Sequence, residues 1–309
     1  MELDLPQSPV LEQVQRPGNR LLGRRAARFA LLGSALLFST GGAAVKFISL
    51  SPAAVACSRS ALAFLFLMLV VPKARRRPSG GGELLVSLAF AATMLLFVLA
   101  SRATTAANAV FLQASAPLYL LLLGPLVLGE ALRRRNLWTL LGMALGLGIF
   151  FAAPGESQSS APNPGLGNLL GALTGMTWAL SILGLRWLES RGQNTLSTVA
   201  FGNLFCVLLA LPLLEYGGDG SWLPSAADAG ALLWLGCFQI GCAYLLVSMA
   251  LKRVPAFEAS LLFLVEPVFN PVWTWMMHGE VPGTLPLVGG ALILACALHA
   301  SAGKPQSSS

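Results

Sequence analysis

Residues 100–130, ASRATTAANAVFLQASAPLYLLLLGPLVLGE, align without a gap on residues 250–280, ALKRVPAFEASLLFLVEPVFNPVWTWMMHGE. At this shift of 150 residues Ala100, Ala106, Ala109, Leu112, Pro117, Gly129 and Glu130 meet Ala250, Ala256, Ala259, Leu262, Pro267, Gly279 and Glu280. Shared alanine and leucine carry little weight in so apolar a chain. A shared mid-helix proline, followed at the same distance by Gly-Glu, carries more. Leu32-Gly33 against Leu170-Gly171 aligns the starts of the two halves at a shift of 138. The chain therefore reads as an internal duplication.

The chain has 309 residues, 55% of them hydrophobic and 11% charged, with a mean hydropathy of +0.71. A soluble domain carries roughly a quarter charged residues, so these charges cannot cover a surface facing water. The solvent for most side chains is lipid or other protein. Apolar spans fall at 28–46, 52–71, 84–101, 104–123, 137–153, 166–187, 195–214, 229–251, 256–277 and 284–301. Spans 84–101 and 104–123 are separated only by Ser101-Arg102-Ala103. One helix of about 40 residues would overrun the hydrocarbon layer, so two are required. The expected fold is an all-α integral membrane protein of ten transmembrane helices, arranged as two inverted five-helix repeats.

The basic residues test this map independently, because cytoplasmic loops collect Lys and Arg. With the N-terminus inside, the inner segments hold Arg16, Arg20, Arg24, Arg25 and Arg28, then Lys73 with Arg75 to Arg77, then Arg133 to Arg135. Arg186 and Arg191, Lys252 and Arg253, and Lys304 complete the inner set. Outside there are Lys46 and Arg102, and Arg59 lies within a span. Five helices per half is an odd number, so the second half starts on the opposite side of the membrane. Glu130 then falls inside and Glu280 outside. The expected organisation is a cytoplasmic tail at 1–26, a first repeat at 27–153, an external linker at 154–165, a second repeat at 166–301 and a cytoplasmic tail at 302–309. Arg24, Arg25 and Arg28 before an apolar run resemble the start of a signal peptide. No convincing cleavage site follows, and a retained first helix in the plasma (inner) membrane is expected.

The two stretches ending Leu128-Gly129-Glu130 and His278-Gly279-Glu280, each after an apolar helix with a central proline, resemble the EamA-type branch of the drug/metabolite transporter superfamily. The turn Ala250-Leu251-Lys252-Arg253-Val254-Pro255 and the run Leu264-Val265-Glu266-Pro267-Val268 match the second half of that pattern. Trp178 and Arg59 stand where the family often has these residue types. The resemblance covers about residues 28–301. It implies ten helices, cytoplasmic termini, a central cavity lined by the inner helices of each half, and export or exchange of small polar or amphipathic metabolites. Ala116 stands in the first half where Glu266 stands in the second.

Glu266 is the leading candidate, as substrate contact or proton carrier, because an acid inside a membrane is costly and faces a cavity or a partner. Pro267 and Pro271 free helix carbonyls beside it. Its bland reading is a structural acid, paired with a neighbouring helix or kept protonated. Arg59 lies seven residues past Pro52, about 10 Å deep. It either holds an anionic group, pairs with Glu266, or snorkels to the outer interface, and its depth favours snorkelling. Asn108, Gln113, Asn203 and Gln239 either face a cavity or simply join helices. Trp178, midway along its span, either stacks on a ring, caps the cavity or packs. Glycines at 167, 171 and 175 and at 142 and 146 read as close helix packing.

Nothing in the sequence supports catalysis or a cofactor. There is no G-x-x-x-x-G-K-[ST] motif for nucleotide, and His278 and His299 lie near helix ends, too shallow to activate a nucleophile. The five cysteines sit in apolar stretches without metal-ligand spacing and read as small hydrophobes. The net charge of +7 belongs to topology, not to nucleic acid. The expected partners are the lipid bilayer and a small-molecule metabolite; a homodimer is left open. The expected activity is secondary transport by alternating access. The alternative is a lipid-handling or channel-like membrane protein.

Overall fold

A computed structural model describes residues 23–78, 80–128, 134–152, 159–216, 224–254 and 256–301. Most of the N-terminal tail, the start of the linker, the first-half Gly129-Glu130 and the tail after Ser301 lie outside the described residues. Every regular element among the described residues is helical. The first half holds α1 (Arg24–Ser39), α2 (Gly41–Phe47), α3 (Pro52–Val70), α4 (Gly81–Ala103), α5 (Ala106–Gln113), α6 (Ala116–Leu128) and α7 (Arg134–Ala152). The second holds α8 (Pro164–Ser190), α9 (Thr195–Ala210), α10 (Ala226–Leu233), α11 (Ala243–Leu251), α12 (Ala256–Leu262), α13 (Val265–His278) and α14 (Thr284–Ser301). A π-helical segment, Trp234–Cys242, joins α10 to α11.

Among the described residues seven helical stretches are long and apolar enough to cross a membrane, from Arg24–Phe47 to Ala226–Leu251. Trp138–Ile149 and Thr284–Cys296 are shorter apolar helices. The outer surface is apolar too, with Leu69 75% and Trp138 74% exposed. Such a surface would aggregate in water and is at home in lipid. The protein is a multi-pass integral membrane protein.

Local sequence chemistry starts the helices. Ser51 Oγ accepts the Ala54 N–H at 3.3 Å, with Pro52 at the first helical position. Asn163 Oδ1 accepts the Leu166 N–H ahead of Pro164, and Ser225 with Asp228 forms a reciprocal capping box. These caps satisfy donors that a helix start leaves free. Inside the bundle α4 packs along α8 and α9, α1 along α11, and α7 along α14. An aromatic cluster of Phe38, Phe90, Trp178, Tyr244 and Phe263 occupies the centre.

Three long helices are broken. The break between α1 and α2 at Thr40 leaves carbonyls without helical donors. Asn270 of α13 donates from Nδ2 to the Ser39 carbonyl at 2.9 Å, and Trp273 Nε1 donates to Ser39 Oγ at 3.0 Å. The other breaks, at Ala114-Ser115 and Phe263-Leu264, stand within one residue of matching places in the duplicated stretch. Each is followed closely by a proline, Pro117 or Pro267, which lacks the N–H needed to continue the ladder.

Glycines set the closest helix approaches. A Cβ on Gly167 would lie 2.5 Å from the backbone nitrogen of Thr104, and one on Gly146 would lie 2.9 Å from the carbonyl oxygen of Gly289. Backbone cannot swing aside as a side chain can. Gly148, on the same helix as Gly146, has nothing within 4 Å of such a Cβ. Gly167→Ala should therefore lower thermal stability in detergent by about 1–3 kcal/mol, whereas Gly148→Ala should leave it unchanged or slightly raised. Equal melting temperatures for the two variants would contradict this packing.

Candidate functional site

The two helix breaks bring Gln113 and Glu266 together. Gln113 is the last residue of α5, and Glu266 lies in the first turn of α13. Gln113 Nε2 donates to both Glu266 oxygens, at 3.3 and 3.4 Å. Glu266 is 4% exposed.

On the facing wall Arg59 of α3 is 1% exposed. Its Nη2 donates to the Met94 carbonyl at 2.7 Å, and its guanidinium lies 5.6 Å from the centroid of the Phe97 ring. Its Nε has no hydrogen-bond partner, and among the described residues no carboxylate oxygen lies within 4.0 Å of it. Arg59 therefore does not snorkel, as its depth suggested; α4 and α9 pack over α3 and close its route outward.

Arg59 and Glu266 line one cavity of ≈ 30 Å³, together with Gln113, Gln239, Trp178 and Tyr244, and with Phe38, Thr93, Met94, Phe97 and Ile240. Gln239 comes from the π-helical segment, and its Oε1 is buried without a partner. A single π turn shifts side-chain register and often marks functional positions. Phe38, Trp178 and Tyr244 meet edge to face, with centroids 5.2 to 6.1 Å apart. A second cavity of ≈ 10 Å³, beside Pro117 and Pro267, shares Gln113, Trp178 and Glu266 with the first. These three side chains form the partition between the two spaces. The larger space admits about two waters.

Five of the seven residues singled out from sequence, Glu266, Gln113, Trp178, Gln239 and Arg59, thus surround one space. Asn108 lies elsewhere. Its Nδ2 donates to Thr104 Oγ1 at 3.3 Å and Asn168 Oδ1 at 3.4 Å, joining α5 to α8. Asn203 Nδ2 donates to its own helix at Val199 O. Tyr244 escaped the sequence reading, although it is one of only three tyrosines and stands inside an apolar run. Thr93, Met94 and Ile240 carry no signal that separates them from ordinary span residues. Among the described residues no cluster of His, Cys, Asp and Glu has a metal-binding arrangement.

One end of the bundle is tied by charges that the sequence assigns to loops. Lys46, at the end of α2, and Glu280, just past α13, are 7% and 3% exposed and approach to 2.9 Å. Glu280 Oε1 also accepts the Ala106 N–H at 2.7 Å, and Lys46 Nζ donates to the carbonyls of Thr104 and Ser160. Arg102 donates to the carbonyls of Ile48 and Leu50 at 2.9 and 2.6 Å. His278 Nε2 contacts the Ala43 carbonyl at 2.9 Å. The ends of α2, α4 and α13 are thereby joined to the start of α5 and to the linker.

The EamA-like transporter family model matches this chain twice, at residues 26–152 and 165–301. The chain belongs to the EamA-like transporter family and is a membrane transporter. The "Pseudopaline exporter CntI" of Pseudomonas aeruginosa is 28% identical over 273 residues, covering 85% of this chain and 92% of that protein. An "Uncharacterized transporter" of Archaeoglobus fulgidus is 28% identical over 211 residues, covering 67% and 72%. A solved crystal structure superposes with a TM-score of 0.63 at 18% identity, over 90% of this chain and 97% of that one, a likeness of fold.

Removing one partner of a buried ion pair strands the other. Glu280→Ala should cost about 3–5 kcal/mol of stability. The double variant Lys46→Met with Glu280→Gln, which keeps an acceptor for Ala106, should recover most of it. Thermal unfolding in detergent reads both, and a double variant as unstable as Glu280→Ala would contradict the pairing.

Proposed function

We propose that this transporter is a secondary carrier that exports or exchanges a small metabolite by alternating access. In this reading ten membrane helices form two inverted repeats, 27–153 and 166–301, with the linker at 154–165 external and both termini in the cytoplasm. The carrying observation is that broken helices from both halves, α5–α6 and α12–α13, deliver Gln113 and Glu266 to one buried, charged cavity. Inverted halves with discontinuous helices suit a site that faces each side in turn. The name of the Pseudomonas relative, an exporter, supports the outward direction. Location in the plasma (inner) membrane fits the distribution of basic loops. No step calls for a cofactor.

Glu266 is the proposed coupling and substrate-contact residue, with Gln113 holding its carboxylate. Arg59 and Tyr244 are the other ionisable groups on the cavity wall. Glu266→Gln should leave the protein inserted and monodisperse, yet abolish saturable flux in proteoliposomes or flatten its dependence on pH. Rates and pH profiles equal to wild type would leave Glu266 a structural acid. Flux linear in solute concentration would favour the channel-like alternative over a carrier.

The topology has its own test. A cysteine at Ser159 in a cysteine-free background should react with an impermeant maleimide applied outside intact cells, and one at Ser79 should not. The opposite pattern would overturn the inverted arrangement.

A further inference from the structure

α2 is a short piece of helix, Gly41–Phe47, set off from α1 by the break at Thr40 and from α3 by the turn that ends at Ser51. It opens on two glycines, and both are in tight contact. A Cβ on Gly41 would lie 2.7 Å from Gln239 Nε2 and 3.5 Å from Phe97 Cε1, two side chains of the cavity wall. A Cβ on Gly42 would lie 2.6 Å from Asn270 Nδ2 of α13 and 3.0 Å from Ala106 Cβ of α5. The inner end of α2 therefore abuts the cavity. Its body rests on the two helices that bring Gln113 and Glu266 together. Helix breaks and helix ends are where a chain absorbs the dihedral change of a hinge.

The far end of α2 is held by charge. Lys46 is the basic residue of its last turn. Lys46 and Glu280, 7% and 3% exposed, approach to 2.9 Å. Lys46 Nζ also donates to the carbonyls of Thr104 and Ser160. Of these contacts, only the pair with Glu280 reaches the second half of the chain. His278 adds a contact from α13 to the Ala43 carbonyl of α2. Glu280 in turn accepts the Ala106 N–H, so α5 and α13 run antiparallel with a polar tie at each end. Ala106 is tied to Glu280, and Gln113 is tied to Glu266 at the cavity. The two ties stand one short helix apart, about 10 Å. A buried pair is costly to part, because each charge is left without its partner. It therefore sets how often this end of α2 comes free.

Resting on the transport reading above, which puts this end of the bundle outside, we infer that α2 is the outer lid of the cavity and that Lys46 and Glu280 are its latch. With the pair made, α2 lies on α5 and α13 and closes the cavity outward. When the pair parts, α2 swings on Thr40, withdraws Gly41 from Gln239 and Phe97, and opens the cavity to the outside.

The test is the rate at which a cysteine at Thr93, on the cavity wall, reacts with an impermeant methanethiosulfonate. It is measured in a cysteine-free background, in right-side-out and inside-out vesicles. The latch is removed by Lys46→Met with Glu280→Gln, which strands no charge and keeps an acceptor for Ala106. A minor open state populated at about 0.1–10% has room to grow, so reaction from outside should speed up at least ~10-fold. Reaction from the cytoplasmic side should not. Glu258→Gln breaks the ion pairs with Arg24 and Arg28 at the other end of the bundle and should leave the outside rate alone. Gly42→Ala, which lifts α2 from Asn270 and Ala106 with both latch charges in place, should raise the outside rate. It keeps the lid testable if the double variant fails to fold. An unchanged outside rate in a folded variant of either kind, equal acceleration from both sides, or the same acceleration in Glu258→Gln overturns the inference. Outside acceleration in a protein without saturable transport would sink the carrier reading alone. Saturable transport with an outside rate indifferent to the latch would sink only this inference.

Discussion

Every peptide group at membrane depth must find its partner within the protein, because hydrocarbon offers none. That requirement accounts for the helices and for what happens where they stop. The carbonyl of Ser39, freed at the α1–α2 break, is taken by Asn270 from the other half of the chain. The carbonyls closing α2 and the turn after it are taken by Arg102. Ser49 in that turn donates its N–H and its hydroxyl to Asp228, at 3.0 and 2.6 Å. Each break is thus a place where one half depends on the other.

The same requirement isolates the cavity. Arg59 and Glu266 are both buried and line the same cavity without pairing to each other. Elsewhere buried charges are closed: Lys46 on Glu280 and two carbonyls, Asp228 on Ser49 and Ser225. Closed networks hold a shape, whereas open charges hold a place for something that arrives. The contrast between the tied end of the bundle and the unpaired centre is the physical basis for placing the site at the centre.

Much of this was legible in the sequence because the relevant signals are local. An acid beside a proline in an apolar run is conspicuous at Glu266, and Gln113 is an amide in the duplicated stretch ahead of Pro117. Glycines at 142 and 146 announced a tight helix contact, realised between α7 and α14. What escaped depends on packing between distant elements. Arg59 read as a snorkelling residue because depth along α3 says nothing about α4 and α9 lying over it. Lys46 read as a loop cation, yet the linker and Glu280 bury it. Asn108 read as either a cavity amide or a joint between helices, and a helix position alone cannot say that Asn168 faces it. The π turn that carries Gln239 leaves no composition or period to read, since it is a matter of one extra residue per turn.

The central claim is that one cavity at the seam is reached from each side of the membrane in alternation. The direct measurement places a single cysteine at Gln239 in a cysteine-free background and follows its reaction with an impermeant methanethiosulfonate in right-side-out and inside-out vesicles. It is repeated in a variant that also carries cysteines at Lys46 and Glu280, joined beforehand by a bifunctional reagent. The account predicts reaction from both sides before joining, and reaction from the cytoplasmic side only afterwards. Unchanged reaction from outside in the joined protein, or reaction from one side alone before joining, would contradict it.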